Sequence, residues 1–306
     1  MSLLTDLFDS LVDDLYSKDT RFALELIQNA EDNQYSKAVD DTAEPFISFE
    51  LHPEKIIIDS NEDGFEPENV EAICSARDST KTASEGYIGE KGIGFKSLFR
   101  VASKVHIQSG PFSFSFEHHR GDDGMGLISP INEGYREMPS DVRTRMTLTL
   151  SNSRESKDLA KDFANPFDNL LLFLTKLKRI TVAKYDTTRR LTTESFRYQY
   201  AQVSHRGALT KILDRNDDLS ADPTVRSFHI TKRTISNLPD DDHRTYKLGK
   251  QTVNINRAEV ILAFPLDSSS VPLIEPQEVF AFLPLKDHGF KVNVSHSTTC
   301  PKAHNM

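Results

Sequence analysis

Three consecutive isoleucines, Ile56, Ile57 and Ile58, constrain the fold of this chain more than any other stretch. A β-branched run is stiff at χ1 and favours extended backbone. With large apolar side chains sent alternately to both faces, Lys55–Asp59 reads as a buried strand. The strand closes on Ser60-Asn61-Glu62-Asp63-Gly64-Phe65, a polar, acidic turn with a glycine. Such turns at strand ends are where sheets place ligand-contacting groups. A carboxylate or amide there can accept from a base amino group, and Gly64 allows a flat ring close to the backbone. By itself the same stretch would equally serve as a plain turn.

The flanking patterns build a mixed α and β order around that strand. Leu3 to Tyr16 has helical apolar spacing, and Asp19 or Thr20 can cap a second helix running to about Gln34. Phe46 to Leu51 alternates like a half-buried strand. Pro67 opens a helix through about Ala76. Residues 77–91 read as a polar loop, followed by a helix from near Gly92 to Ala102. Strands are expected at Lys104–Gln108, Phe112–Glu117, Gly126–Ile128, Met146–Leu150 and Ile180–Tyr185, with a turn at 118–124 and an apolar helix within Leu159–Leu177. After Asp186 polar segments alternate with short strands at Phe196–Val203, Val225–Thr234, Ala258–Leu266 and Val279–Leu285. The fold class expected is an α/β (α+β) two-layer sandwich over 1–186, with a smaller partial α+β segment over 187–291. From Val292 to Met306 no apolar period is visible, and a disordered end is expected.

Composition narrows the function classes. The chain has 306 residues, 37 % of them hydrophobic and 27 % charged, with net charge -9. No run approaches the ~18–20 apolar residues of a membrane span, so no membrane association is expected. The acidic balance argues against a basic nucleic-acid surface. The small clusters Lys176, Lys178, Arg179 and Arg189, Arg190 read as solvated faces. Two cysteines, Cys74 and Cys300, exclude a disulfide scaffold and fit a reducing compartment, cytoplasmic or nuclear. The opening MSLLTDLFDSLVDD lacks the basic start of a leader peptide.

Two further segments carry chemistry. Glu25, Asn29 and Asp32 stand at i, i+4 and i+7, so they share one helix face, with no basic residue between Arg21 and Lys37. An acid and an amide so placed could hold a hydrated Mg²⁺ and orient a water. An ordinary amphipathic helix would look similar. Ser79-Thr80-Lys81 is followed by Gly89-Glu-Lys91-Gly92-Ile-Gly94-Phe95-Lys96-Ser97. Glycines spaced three and two apart ahead of a helix can present N–H groups to an anion, and Lys81, Lys91 and Lys96 add full charges. The order is neither the dinucleotide fingerprint nor a Walker loop.

The three segments together resemble the GHKL ATPase superfamily of gyrases, heat-shock chaperones and histidine kinases. ELIQNAEDN resembles its N box, DSNEDGF its first glycine box and IGEKGIGFKS its second. ARDSTK is similar to the lid start, and the stretch from Arg143 and Thr144 to the threonine-bearing strand. Within the superfamily the motifs look most like those of sacsin and NO VEIN-like proteins. The resemblance implies a Bergerat fold, a mixed sheet with helices on one face, binding ATP or ADP with Mg²⁺. It further implies Glu25 as general base, Asn29 as Mg²⁺ ligand and Asp32 as pocket support. Gly89, Gly92, Gly94 and Phe95 would wrap the phosphates with Lys91 or Lys96 nearby, and Ser79, Thr80 and Lys81 would belong to the lid. Gly64, Phe65 and Thr144 would line the base site. Here Glu62 replaces the first glycine of the superfamily's D-x-G-x-G turn. The adenine reader is therefore Asn61 by preference, with Asp59 or Asp63 as alternatives.

The expected function is slow Mg-dependent ATP hydrolysis driving a chaperone-like or switch-like change on a protein client. The alternative is a non-catalytic nucleotide-binding scaffold. A kinase reading lacks a phosphoacceptor helix pair ahead of the N box. Relatives would continue with folded chain after FAFLPLKDHGFK, so a shortened chain is expected. His118, His119, Asp122 and Asp123 diverge on a turn and are not expected to hold a metal. Cys74 reads as a small buried hydrophobe.

Overall fold

The computed structural model describes residues 21–75, 97–117, 130–151, 169–188, 191–205, 208–216, 222, 224–237, 245–248, 251–254, 257–274, 279–281, 283–284 and 293–298. Helices α1 (Arg21–Asp32) and α2 (Ser36–Asp40) lead into strands β1 (Phe46–Leu51) and β2 (Lys55–Ser60), then α3 (Pro67–Ser75). A 3₁₀ turn at Ser97–Arg100 precedes β3 (Ala102–Ser109), β4 (Phe112–Glu117), β5 (Ile131–Asn132) and β6 (Thr144–Leu150). A second 3₁₀ turn at Leu170–Leu172 precedes β7 (Arg179–Tyr185). The rest is strand: β8 (Leu191–His205), β9 (Ala208–Asn216), β10 (Thr224–Ser236), β11 (Thr245–Leu248), β12 (Gln251–Asn254), β13 (Arg257–Leu266), β14 (Val279–Ala281), β15 (Leu283–Pro284) and β16 (Asn293–Thr298).

Fourteen of the described strands form one mixed sheet, in the order β15-β14-β16-β13-β10-β9-β8-β7-β1-β2-β6-β3-β4-β5. Parallel pairing occurs at β1–β7 and β14–β16, and the remaining ladders are antiparallel. The architecture is thus a mixed α and β layering on an open sheet, as the sequence pattern predicts for the fold class.

Register explains the two unlike faces of the sheet's first half. Cross-strand partners share a face, and successive residues alternate. Ile47, Phe49 and Leu51 of β1 stand opposite Ser60, Ile58 and Ile56 of β2. They continue into Thr144, Met146 and Leu148 of β6, then Ser109, Ile107 and Val105 of β3, then Phe112, Phe114 and Phe116 of β4. This face is apolar except for Ser60, Thr144 and Ser109 at one end. It is covered by Phe22, Ala23, Leu26, Ile27 and Ala30 of α1 and by Leu170, Leu171, Leu172, Leu174 and Leu177, all buried in one cluster.

The other face runs through Ser48, Asp59, Arg145, Gln108 and Ser113, with Glu50, Ile57, Thr147, His106 and Ser115 alongside. It is polar, yet Asp59, His106, Gln108 and Ser115 are buried. Part of its cover is the segment around Glu133–Arg136. The Gln108 amide grips the Arg136 main chain, donating to its O at 2.6 Å and accepting from its N at 2.9 Å. Glu133 accepts from Ser115 Oγ and pairs with Lys104.

Several expectations change. The described part of the expected 159–177 helix, residues 169–177, forms a single 3₁₀ turn; its leucines are core, as expected, but in a compact turn. Residues 97–100 are a 3₁₀ turn and Ala102 already begins β3, so a helix does not reach Ala102. After residue 186 the described residues form strands and turns, with no helix among them. The ladder β7–β8 joins strands on either side of the expected boundary at 186/187, with a register shift between Ala183 and Tyr185. Asn293–Thr298, expected to be disordered, pair with Ala258–Ala263 of β13. An edge offers main-chain partners to any extended segment, and that bonding needs no apolar period. The expected helix at 3–16, the turn at 118–124 and the strand at 126–128 lie outside the described residues. Among the described residues no helix is long and apolar enough to cross a membrane.

Candidate functional site

Helix α1 has no glycine, proline or β-branched run beyond a single isoleucine, so its interior is unopposed by propensity. It ends where Asn33 N bonds back to Asn29 O and Ala30 O, each at 3.2 Å. Lys176 Nζ donates to Asp32 O at 3.0 Å and Asn33 O at 2.6 Å, placing a cation on the carbonyl end of the helix. The lysine cluster read as a solvated face therefore includes a helix cap. The apolar side of α1 is buried, Glu25 and Asn29 are half-buried, and Asp32 is exposed. The acid–amide stripe exists and is turned away from the core.

A neighbouring residue that the spacing argument passed over is tied down most firmly. Glu31 is buried, and its carboxylate accepts from Thr175 N and Oγ1 (both 2.6 Å), Lys176 N (3.0 Å) and Leu177 N (3.0 Å). Three successive backbone N–H groups and a hydroxyl enclose one buried charge, which desolvation otherwise makes costly. The available signal was an acid beside Ala30 and Ile27, at the margin of the helix's apolar side.

Tyr35 connects α1 to the sheet. Its hydroxyl donates to Ala30 O at 3.0 Å and lies 3.5 Å from Ser60 Oγ. Burial pushes this phenol well above its ordinary value, so it stays a protonated donor. Ser60 is the first of the polar positions on the helix-facing side of the sheet. Thr144 stands opposite it on β6, with Ser109 next on β3. Ser109 Oγ and Thr144 Oγ1 are 2.6 Å apart, and Phe65 N donates to Ser109 Oγ at 2.9 Å. Gly64 has φ +95°, with Ser109 Oγ 3.6 Å from where a Cβ would stand. The turn thus bends back over the hydroxyl row, a path that glycine makes inexpensive. Gly64 and Phe65 of the turn and Thr144 of β6 come together here. Serines at core-face positions of strand ends were the legible signal for Ser60 and Ser109.

The residues offered as base readers are placed differently. Asp59 lies on the opposite face of β2 from Ser60 and Thr144. It holds Arg145 in a two-bond fork, Nε to Oδ1 at 2.7 Å and Nη2 to Oδ2 at 2.6 Å. Burial pushes its carboxyl up even against that guanidinium. Asn61 is buried with both ends of its amide on main chain: Oδ1 accepts from Phe46 N and Nδ2 donates to Glu44 O, both at 2.9 Å. Asp63 sits at the start of α2, accepting from Ser36 Oγ and, at 3.1 and 2.9 Å, from Ser36 N and Lys37 N. Desolvation opposes ionisation there, but these hydrogen bonds win and hold its carboxyl below the ordinary range.

Ser79, Thr80, Lys81, Gly89, Lys91, Gly92, Gly94, Phe95 and Lys96 lie outside the described residues. The 3₁₀ turn that continues that stretch, Ser97–Arg100, packs beside α1, with Leu98 fully buried. Among the described residues no group of three His, Cys, Asp or Glu is arranged to hold a metal ion by itself. Cys74 is half-buried, and burial raises its thiol.

No family model matches the chain. Over 92 % of its length it is 32 % identical to Protein NO VEIN of Arabidopsis thaliana, and this covers 10 % of that protein. Over 48 % of its length it is 26 % identical to Chaperone protein HtpG of Helicobacter pylori (strain J99 / ATCC 700824), covering 27 % of that protein. The chain therefore spans about a tenth and about a quarter of these curated relatives. Together the two likenesses tie the chain to NO VEIN and, loosely, to GHKL-type proteins.

Proposed function

We propose that this chain is a Mg-dependent ATP-binding module of the GHKL type, whose slow hydrolysis drives a chaperone-like or switch-like change. The carrying observation is the half-buried Glu25–Asn29 stripe of α1, turned off the core and bridged through Tyr35 to the end of the sheet where Ser60, Thr144 and Ser109 face the helix layer. The base packs against Gly64, Phe65 and Thr144. Asn29 would hold a Mg²⁺ through its side-chain oxygen, and the ion when bound would neutralise phosphate charge. Glu25 takes a proton from the attacking water, and Asp32 supports the stripe from its exposed end. The glycines at 89, 92 and 94, with Phe95, Lys91 and Lys96, receive the phosphates. Ser79, Thr80 and Lys81, by the same resemblance, would belong to the lid. A protein client is the partner proposed for that change, and the two cysteines suit a reducing compartment.

One observation favours the second reading, a nucleotide-binding scaffold without turnover. Asp59, Asn61 and Asp63 are all engaged within the fold. The test is calorimetry and thermal unfolding with ATP, ADP and a non-hydrolysable analogue, with and without Mg²⁺, alongside phosphate release. Ligand at about a hundred times Kd stabilises by ~2.7 kcal/mol. Glu25→Ala should keep binding and lose turnover. Absence of any nucleotide-dependent shift would end the proposal; binding without phosphate release would select the scaffold.

A further inference from the structure

Resting on that reading, we infer that Glu31 is the positioning residue of the magnesium site: its clasp on residues 175–177 sets the rotation of α1 about its own axis, and so where Asn29 and Glu25 point. The clasp is reciprocal. Glu31 reaches out to Thr175 N, Thr175 Oγ1, Lys176 N and Leu177 N, while Lys176 Nζ reaches back to Asp32 O and Asn33 O. It joins the last turn of α1 to the segment that leads straight into β7, a strand in the middle of the sheet.

Apolar contacts alone leave a helix some freedom to roll, because dispersion and burial are non-directional. Phe22, Leu26 and Ile27 seat α1 in the core beside the small Ala23 and Ala30, and they do so without a bond of fixed direction. The clasp is directional. At 3.6 residues per turn Glu31 lies about 120° around the helix from the middle of the Glu25–Asn29–Asp32 stripe. Fixing that flank fixes the stripe. Side-chain heads stand ~6 Å from a helix axis, so a roll of about 10° moves them by ~1 Å. An error of that size is enough to cost on the order of 10²-fold in a positioned reaction. Glu31 itself is buried against 175–177, so it acts through the helix that carries Asn29 and Glu25.

The test measures ATP affinity of the full chain by calorimetry with and without Mg²⁺. Removing a metal-positioning group lowers the gain conferred by Mg²⁺; a merely structural loss lowers both affinities alike. In Glu31→Gln the Mg²⁺ gain should fall about fivefold or more, with Mg-free affinity held within about twofold. Combined with Asn29→Ala, Glu31→Gln should change the gain by less than about twofold, because both act through one group. Thr175→Val removes only the hydroxyl bond and serves if Glu31→Gln fails to fold; about a twofold fall is expected. Hydrogen exchange at the Thr175, Lys176 and Leu177 amides, read without nucleotide, should quicken in Glu31→Gln. An unchanged Mg²⁺ gain, additive effects with Asn29→Ala, or unchanged exchange overturns the assignment. Wild-type protein that binds no ATP overturns the proposed function, and the assignment with it.

Discussion

Replacing Asn61 by alanine separates a base-reading side chain from a structural one. Asn61 is 3 % exposed, and its amide closes the gap between the turn after β2 and the start of β1. Two hydrogen bonds at 2.9 Å disappear in Asn61→Ala, those with Phe46 N and Glu44 O. Each contributes ~1 kcal/mol net, and a buried donor left unsatisfied costs about 1–3 kcal/mol. Phe46 is itself buried, so its N–H is not freely rescued by water. The expected loss is about 2–4 kcal/mol, a large fraction of the ~5–15 kcal/mol that holds a domain together. Urea unfolding reads this as a lower midpoint at unchanged m-value. Asn61→Asp keeps the acceptor for Phe46 N but sets a second carboxylate oxygen against Glu44 O, and should do no better than alanine. A loss below ~0.5 kcal/mol in Asn61→Ala would refute the clamp, because one buried and one part-buried hydrogen bond together contribute more than that. Lower ATP affinity at unchanged stability would instead return Asn61 to the base site.

Three other outcomes follow from named contacts. Arg145→Ala leaves Asp59 buried and unpaired, which should cost about 3–5 kcal/mol, more than Asp59→Ala with Arg145→Ala together; a single-variant loss under ~1 kcal/mol in urea unfolding would contradict the pair's burial. Gly64→Ala should cost about 1–3 kcal/mol from backbone strain at φ +95° rather than from a clash, since the nearest atom to an added Cβ is 3.6 Å away; unchanged stability in the same assay would contradict that backbone angle. Lys104, with help from Ser115, holds the Glu133 carboxyl down to about 2 from an ordinary 4.5. Because the folded value is the lower one, its stabilising contribution is complete above pH 4.5 and is lost as pH falls toward 2. Denaturation across that window should show a shallower decline in Glu133→Gln than in wild type, and equal slopes would remove the carboxylate from the account.

Periodicity made the first half of the fold readable. β1, β2, β3, β4, β6 and β7 appear within two residues of where alternation placed them, because side chains in a half-covered sheet must alternate. Helix α1 was visible for the same kind of reason, with Phe22, Leu26 and Ala30 at helical spacing. The apolar stretch at 170–174 was readable as core but not as a 3₁₀ turn. A run of buried leucines satisfies either geometry, and length alone could not arbitrate. Strand β16 carries no apolar signal, since main-chain pairing with β13 holds it.

Local order alone settled that Glu25, Asn29 and Asp32 share one side of a helix, that Ile56–Ile58 form a buried strand and that Gly64 ends it in a turn. Those outcomes depend on torsion preferences and spacing within a few residues. The partners of Asp59, Asn61 and Asp63 were decided in three dimensions. A carboxylate or an amide is equally suited to a ligand, a guanidinium or a stray backbone N–H, and only the register of β2 against β6 sends Asp59 to Arg145 and away from Thr144. The Glu31 clasp spans more than a hundred residues of chain, from α1 to 175–177, and no local pattern records a contact between segments that far apart.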